Sequence, residues 1–148
     1  MAMVLHRFDD VDEQGKLLPG YLSPKTGWVK FDGKYTDEYV AGAIQAACEA
    51  GKLAEAKTIM EMGKGADGWV RDACGGAWIR ITKPSRVLLN SLKRQDAVWP
   101  CHGGAWSFRR PQSCEQSITV LEDMAKAQCQ SLRKAFPGQD IEWHSWVD

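Results

Sequence analysis

The sequence predicts an α+β fold: a single curved, largely antiparallel sheet of about five strands, with about three helices packed on one face. Two segments repeat the phrase Gly-Gly-Ala-Trp before alternating residues, which is typical of strands entered through a glycine bend. Three further segments place apolar residues at helical spacing. Strand and helix signals follow one another in mixed order, which favours an antiparallel sheet backed by helices.

The chain of 148 residues is expected to form a single domain, residues 1–148, with a proper core. Its 19 basic and 19 acidic residues balance, so there is no strong nucleic-acid electrostatic signature. No apolar run approaches the roughly 20 residues of a membrane span, and the acidic N-terminus does not read as a signal peptide, so no membrane contact is expected. The five cysteines form no Cys-x-x-Cys pair, which favours free thiols and a cytoplasmic location.

The first part of the chain is polar, acidic and rich in turn residues. Residues 1–26 are therefore predicted to form an extended N-terminal arm, with at most a short strand at residues 4–7. The α+β core is expected to span residues 27–148. It opens with a strand at residues 27–31, in which polar and apolar residues alternate.

A helix is predicted over residues 36–50. Thr36 suits the N-cap, and the acidic pair Asp37-Glu38 favours the positive end of the helix dipole. Gly51 stands where a glycine commonly ends a helix. The buried face is expected to consist of the apolar residues at helical spacing, which are Val40, Ala43, Ile44, Ala47 and Cys48.

Residues 52–64 allow two interpretations. A second helix could open at Leu53–Ala56, or residues 56–62 could form a strand. The β-branched pair Thr58-Ile59 favours the strand.

The remaining elements are predicted from turn residues, caps and periodicity. They are, in order, a strand at 77–82, a helix at 84–94, a connection at 96–104, a strand at 105–110, a helix capped by Ser113 or Ser117 and ended by Pro137-Gly138, and a strand at 141–147. The long helix is expected to bury Ile118, Leu121, Ala125, Cys129, Leu132 and Phe136.

Alternation along the strands places their aliphatic residues towards the helices and, on most strands, a tryptophan beside a basic or titratable residue on the other face. In the second copy of the repeat, Trp106 and Phe108 are instead expected on the helix side, which leaves Ser107 and Arg109 outward. Aromatic residues stack on flat rings, and guanidinium groups bind phosphate or carboxylate. The candidate ligand-binding residues are Trp28, Lys30, Trp78, Arg80, Arg109, His144 and Trp146.

These residues favour a small, non-enzymatic binding protein whose aromatic and basic sheet face engages a nucleotide-like ligand or a protein partner. In an alternative interpretation, residues 1–26 fold over the tryptophans and create a second small core. A second hypothesis is an enzyme that acts on a phosphorylated substrate through Lys57, Arg80 and His144. A third is a small inhibitor or immunity-type protein of mobile-element origin that acts through a protein interface alone.

Short segments between residues 27 and 94 carry a family resemblance. They are Trp28-Val29-Lys30-Phe31 before a helix, Gly51-Lys52-Leu53, Ala56-Lys57, and Ile79-Arg80-Ile81 before the Leu88–Leu92 helix. Together they resemble the phosphothreonine-lyase-domain family, which is related in fold to the mRNA cap-binding initiation factors. The resemblance implies a curved sheet backed by helices and a base held between two tryptophans, here Trp28 and Trp78, with no acidic residue placed by a motif. The family's name also implies elimination chemistry, with Lys57 and His144 as base and acid.

No catalytic residue, metal site or cofactor is assigned from the sequence. The spacings of Cys74, Cys101, His102 and Cys114 match no standard pair of zinc ligands. Adjacent residues on a strand point to opposite faces, so Cys101 and His102 are not expected to pair as nucleophile and base. The glycine pairs lack the Gly-x-x-x-x-Gly-Lys-[Ser/Thr] pattern of a phosphate-binding loop.

Overall fold

The computed structural model describes residues 5–11, 17–23, 27–30, 35–110, 113 and 115–148, with side-chain surroundings from residue 35 onwards. The chain divides into two compact units, Met1–Thr36 and Asp37–Asp148. The α+β class is confirmed, because the second unit combines three helices with an antiparallel sheet of four strands. None of the helices in the described part of the chain has the length and apolarity that crossing a membrane requires.

The first unit contains a three-stranded antiparallel sheet in the order β1-β2-β3. Its strands are β1 (Leu5–Val11), β2 (Leu17–Ser23) and β3 (Gly27–Lys30). The predicted strand at 27–31 is confirmed over its first four residues, but β1 and β2 replace the predicted extended arm. The turn residues that indicated an arm include Pro19, which lies within β2, the central strand of this sheet, opposite His6, where a proline is uncommon.

The second unit consists of α1 (Asp37–Met62), β4 (Gly75–Thr82), α2 (Arg86–Arg94), β5 (Val98–Pro100), a 3-10 turn at His102–Gly104, β6 (Ala105–Phe108), α3 (Ile118–Ala135) and β7 (Asp140–Val147). Its sheet has the order β5-β6-β4-β7, and all neighbouring strands are antiparallel. Helix α3 packs on β4 and β7, and α1 packs on α3. The strands therefore form sheets of three and four rather than the predicted single sheet of about five.

Helix α1 runs through the glycine that was expected to end it. Gly51 is buried inside the helix, and the helix continues to Met62. Gly63 ends it instead, with a φ of +76° and an N–H that donates to the carbonyl of Ile59 at 2.8 Å. The strand predicted at residues 56–62 is therefore wrong. Thr58 faces α3, where its hydroxyl donates to the Asp123 carboxylate at 2.8 Å, so a tertiary contact outweighs the strand preference of its side chain.

The buried face of α1 agrees in part with the predicted stripe. Val40, Ala43 and Ala47 are buried, whereas Ile44 and Cys48 are half-buried. On α3, Ala125, Cys129 and Leu132 are buried as predicted, together with Phe136 just beyond its end, and Val120, Met124 and Gln128 join them. These side chains meet the aliphatic face of β4, formed by Ala77, Ile79 and Ile81, which is fully buried.

Helix α3 begins at a strongly bonded cap. Ser117 is the N-cap, as predicted, and its hydroxyl accepts the N–H of Val120 at 3.3 Å and donates to the Asp72 carboxylate at 2.6 Å. The N–H of Thr119 also donates to Asp72, at 3.0 Å. These bonds, that of Ser117 first, lower the pKa of Asp72 to about 2. The loop before β4 is thereby fastened to the N-terminus of α3 by an ionised carboxylate, which the helix dipole favours.

Candidate functional site

The seven predicted ligand-binding residues are divided between the two units. Trp28 and Lys30 lie on β3, in the sheet of the first unit. Their side chains are outside the described residues, and the covering of the tryptophans by residues 1–26 stays a prediction for the same reason. The other five lie in the second unit, on β4 and β7 and just after β6.

The structure brings three of the predicted residues together as one aromatic cluster. Trp78 lies directly opposite His144 in the β4–β7 register, and Gly76 lies opposite Trp146, which places all of them on one face of the sheet. The rings of Trp78 and His144 are stacked, with centroids 5.2 Å apart and planes at 26°. The rings of Trp78 and Trp146 are 5.4 Å apart and tilted by 47°.

The two glycine pairs of the repeated phrase have different roles. Gly103 and Gly104 have φ values of +71° and +74°, in the left-handed region that favours glycine. Gly76 does not, but a Cβ built on it would overlap the ring of Trp146. A Cβ on Gly75 would overlap the Trp146 carbonyl oxygen. The first pair therefore gives Trp146 the space to lie flat against β4.

Arg80 is on the predicted face but already faces a carboxylate. Its Nη2 is 3.7 Å from Oε2 of Glu142, and Nε2 of His144 is 3.4 Å from the same oxygen. Both side chains also hold a buried nitrogen, Arg80 Nε and His144 Nε2, that makes no hydrogen bond to any of the described residues. The ion pair of Arg80 and Glu142 is partly exposed, and ion pairs of this kind contribute little to stability.

A large cleft of the second unit opens where the sheet is incomplete. Strand β6 pairs only with residues 80–82 of β4, so within the described chain the N-terminal half of β4 has β7 on one side and no strand on the other. The resulting cleft has a volume of about 850 Å³. Its walls include Trp99 from β5, Trp146 from β7, the pair Arg109-Arg110 and Gln128 from α3. We call it the Arg–Trp cleft.

Each arginine in the Arg–Trp cleft lies over a tryptophan. The guanidinium carbon of Arg109 is 5.0 Å from the ring centroid of Trp99, and that of Arg110 is 5.9 Å from the ring centroid of Trp146. Both distances are within the range of cation–π attraction, about 6 Å. Trp99 is 44% exposed and Trp146 45% exposed, so both rings offer surface to a ligand.

The two arginines differ in their charge partners. Arg109 donates from Nη2 to Oδ1 of Asp96 at 2.9 Å and from Nε to the Asp96 carbonyl. Arg110 donates from Nη1 to the Ala77 carbonyl and has no carboxylate partner among the residues that the structure describes. The buried carboxylate of Glu115, also in the cleft wall, is 3.8 Å from Nζ of Lys64.

Gln128 is the most deeply placed polar group of the cleft wall. Its side chain is 97% buried, since only 3% of the residue is exposed. Its side-chain amide makes no hydrogen bond to another residue in the described part of the chain. Its amide group can therefore donate to, or accept from, a molecule in the cleft.

A smaller cavity of about 270 Å³ adjoins the Arg–Trp cleft and shares Arg109, Arg110 and Gln128 with it. Its remaining wall is largely apolar and includes Ile44 and Cys48. Burial raises the pKa of the Cys48 thiol, which disfavours the nucleophilic thiolate at neutral pH.

Sequence reasoning missed Trp99 and Arg110. Trp99 lies in the stretch that was predicted as a connection and is in fact β5, whose third residue, Pro100, is typical of an edge strand. Arg110 follows Arg109 directly, but in the predicted strand 105–110 only Arg109 was selected as a ligand-binding residue. Because β6 ends at Phe108, alternation does not extend to Arg110, and the two arginines reach the same cleft.

The groups of the enzyme hypothesis are not brought together. Lys57 is exposed on α1, which packs on α3. Helix α3 in turn covers the aliphatic face of the sheet, whereas Arg80 and His144 are on the other face. Within the described residues, no three His, Cys, Asp or Glu side chains are grouped so that they could hold a metal ion.

Comparison of the chain with models of protein families, with curated proteins and with solved structures found no match. The resemblance to the phosphothreonine-lyase-domain family and the cap-binding fold therefore stays a prediction from short sequence segments.

Proposed function

We propose that the protein is a small, non-enzymatic binding protein and that its Arg–Trp cleft takes a nucleotide-like ligand, a planar ring joined to an anionic group. The observation that carries this proposal is the pair of arginines that lie over the two exposed tryptophans of one cleft. Tryptophan surface binds a flat ring, and guanidinium binds phosphate or carboxylate. Both parts of such a ligand thus find a partner in the same cavity.

The size of the cleft supports a small molecule. Its volume of about 850 Å³ is within the range of about 300–1,000 Å³ that is usual for ligand sites. Trp78 and Trp146 contact each other at 47°, so they leave no slot between parallel rings. The ligand ring would instead stack on the exposed surface of Trp99, and each stacked base contributes about 1–3 kcal/mol.

The polar groups of the cleft would orient the ligand. Gln128 presents an unpaired amide from the α3 wall, which matches the donor and acceptor pattern on the edge of a nucleobase. The four described cysteines, Cys48, Cys74, Cys101 and Cys129, carry free thiols, which fits the cytoplasmic location expected from the sequence and a nucleotide-like ligand found there.

Titration with AMP, GMP, CMP and UMP, followed by tryptophan fluorescence, tests the proposal. At least one of them should quench the fluorescence and reach saturation, because stacking perturbs the indole rings. Trp99→Ala should weaken this binding roughly 5- to 150-fold, the equivalent of one stacked base.

Trp69→Ala is the matched control, since Trp69 is 49% exposed but lies outside the Arg–Trp cleft. It should leave the affinity unchanged. The proposal is contradicted if none of the four nucleotides quenches the fluorescence saturably, or if Trp69→Ala and Trp99→Ala weaken binding equally.

A further inference from the structure

We infer that Arg110 alone recognises the anion in the Arg–Trp cleft, that Arg109 is a positioning residue for Trp99, and that the ligand therefore carries one anionic group rather than a polyphosphate. The inference rests on the proposed function and specifies the class of ligand for the same cleft. It reverses the sequence prediction, which selected Arg109 as the ligand-binding arginine of this part of the chain.

The charge of Arg109 is already compensated. Asp96 accepts hydrogen bonds from two of its nitrogens, one at the carboxylate and one at the backbone carbonyl. Two of its five N–H donors are thus bound to Asp96, and its charge is paired with the Asp96 carboxylate, which weakens its attraction for a second anion. Because Nε and Nη2 are bound to Asp96 and the guanidinium carbon lies over the Trp99 ring, Arg109 holds the indole ring in place on the edge strand β5.

The charge of Arg110 is uncompensated among the described residues. Within the described chain, its one polar contact is the Ala77 carbonyl, which accepts one of the five N–H donors of a guanidinium and does not neutralise it. The remaining donors are available, and the carbonyl together with the ring of Trp146 fixes the direction of the group. A preoriented cation of this kind binds an anion with less loss of side-chain entropy than a free surface arginine.

The charge balance of the cleft limits the number of anionic groups that the ligand can carry. Its described charged residues are Arg109, Arg110 and Glu115. Asp96 compensates Arg109, and Lys64 compensates Glu115, which leaves the single positive charge of Arg110. A second or third phosphate would enter the cleft without a cation to pair with and would approach the Glu115 carboxylate, so added phosphates should bring no gain in affinity.

The experiment measures the dissociation constants of AMP, adenosine and ATP for the intact chain, Arg110→Gln, Arg110→Lys, Arg109→Gln and Asp96→Asn. If another nucleotide proves the better ligand in the titration above, its base is used. The unchanged protein should bind AMP about 10-fold more tightly than adenosine. Arg110→Gln should remove this preference while leaving adenosine binding nearly unchanged, and Arg110→Lys should restore part of it.

The other variants and ATP give the remaining expected results. Arg109→Gln should weaken AMP and adenosine binding by the same factor, since it disturbs Trp99 and leaves the anion contact intact. Asp96→Asn should instead raise the affinity for AMP relative to adenosine, because it leaves the charge of Arg109 uncompensated in the cleft. ATP should bind no more tightly than AMP. If Arg110→Gln does not fold, Arg110→Lys still decides, because it keeps the charge, loses the fork and should lower the AMP preference without abolishing it.

The inference is overturned if the preference for AMP survives in Arg110→Gln, if it disappears in Arg109→Gln, or if ATP binds about 10-fold more tightly than AMP, the equivalent of one further charged contact. These outcomes leave the proposed function standing, because the unchanged protein still binds. If the unchanged protein binds neither AMP nor adenosine nor any other base of the panel, the proposed function itself fails, and the inference fails with it.

Discussion

Gly76→Val is expected to destabilise the protein by about 3 kcal/mol or more, at the upper end of the cost of overpacking. A Cβ at this position overlaps the ring of Trp146, so the ring must leave β4 and lose its contact with Trp78. Gly42→Val is the control, because nothing lies within 4 Å of a Cβ at Gly42. Urea denaturation of both variants measures the difference.

The same variant in a Trp146→Ala background isolates the cause. Without the indole ring, Gly76→Val should cost far less, and the coupling energy of the double-mutant cycle should be large. Equal losses of stability for Gly76→Val and Gly42→Val, or additive effects of Gly76→Val and Trp146→Ala, would show that the glycine does not make room for the tryptophan.

Val40→Asp is expected to cost about 3 kcal/mol or more, since it buries a charge without a partner in the interface of α1 and α3. Val40 is fully buried. Ile44→Asp, one turn further along α1, should cost only about 1 kcal/mol, the usual loss for a partly exposed position, because Ile44 is half-buried beside the small cavity.

Thermal or urea denaturation of Val40→Asp and Ile44→Asp tests this ranking. Equal destabilisation by the two substitutions would contradict the packing of α1. A larger effect of Ile44→Asp would mean that Ile44, the middle residue of the stripe predicted from the sequence, lies at the centre of the buried face.

Local periodicity was sufficient for elements whose signals agree with one another. In α3, the serine cap, the apolar stripe and the terminal Pro137-Gly138 all indicate the same helix, and the structure has it. In α1, Gly51 indicated the end of the helix and Thr58 favoured a strand. Packing against α3 outweighed both preferences. The first sheet was missed because turn residues such as Pro19 indicated an arm, although β2 has partners on both sides.

The candidate site could be predicted only where it follows from alternation within one strand. Alternation correctly placed Trp78, His144 and Trp146 on one face. The Arg–Trp cleft depends instead on where β6 stops relative to β4, which is a property of register between distant segments. No residue next to Trp99 or Arg110 in the sequence indicates where β6 stops. The ion pair of Arg109 with Asp96 is likewise visible only in the structure.

The most direct test of the Arg–Trp cleft as a binding site is a ¹H–¹⁵N spectrum of the indole N–H groups of the seven tryptophans, recorded during titration with AMP or the best nucleotide of the panel. Trp99→Phe and Trp146→Phe assign the two decisive signals. We predict that the signals of Trp99 and Trp146 shift together, with one dissociation constant, while that of Trp69 stays in place. If both signals stay in place at millimolar nucleotide while those of other tryptophans shift, the ligand binds elsewhere and the cleft is not the site.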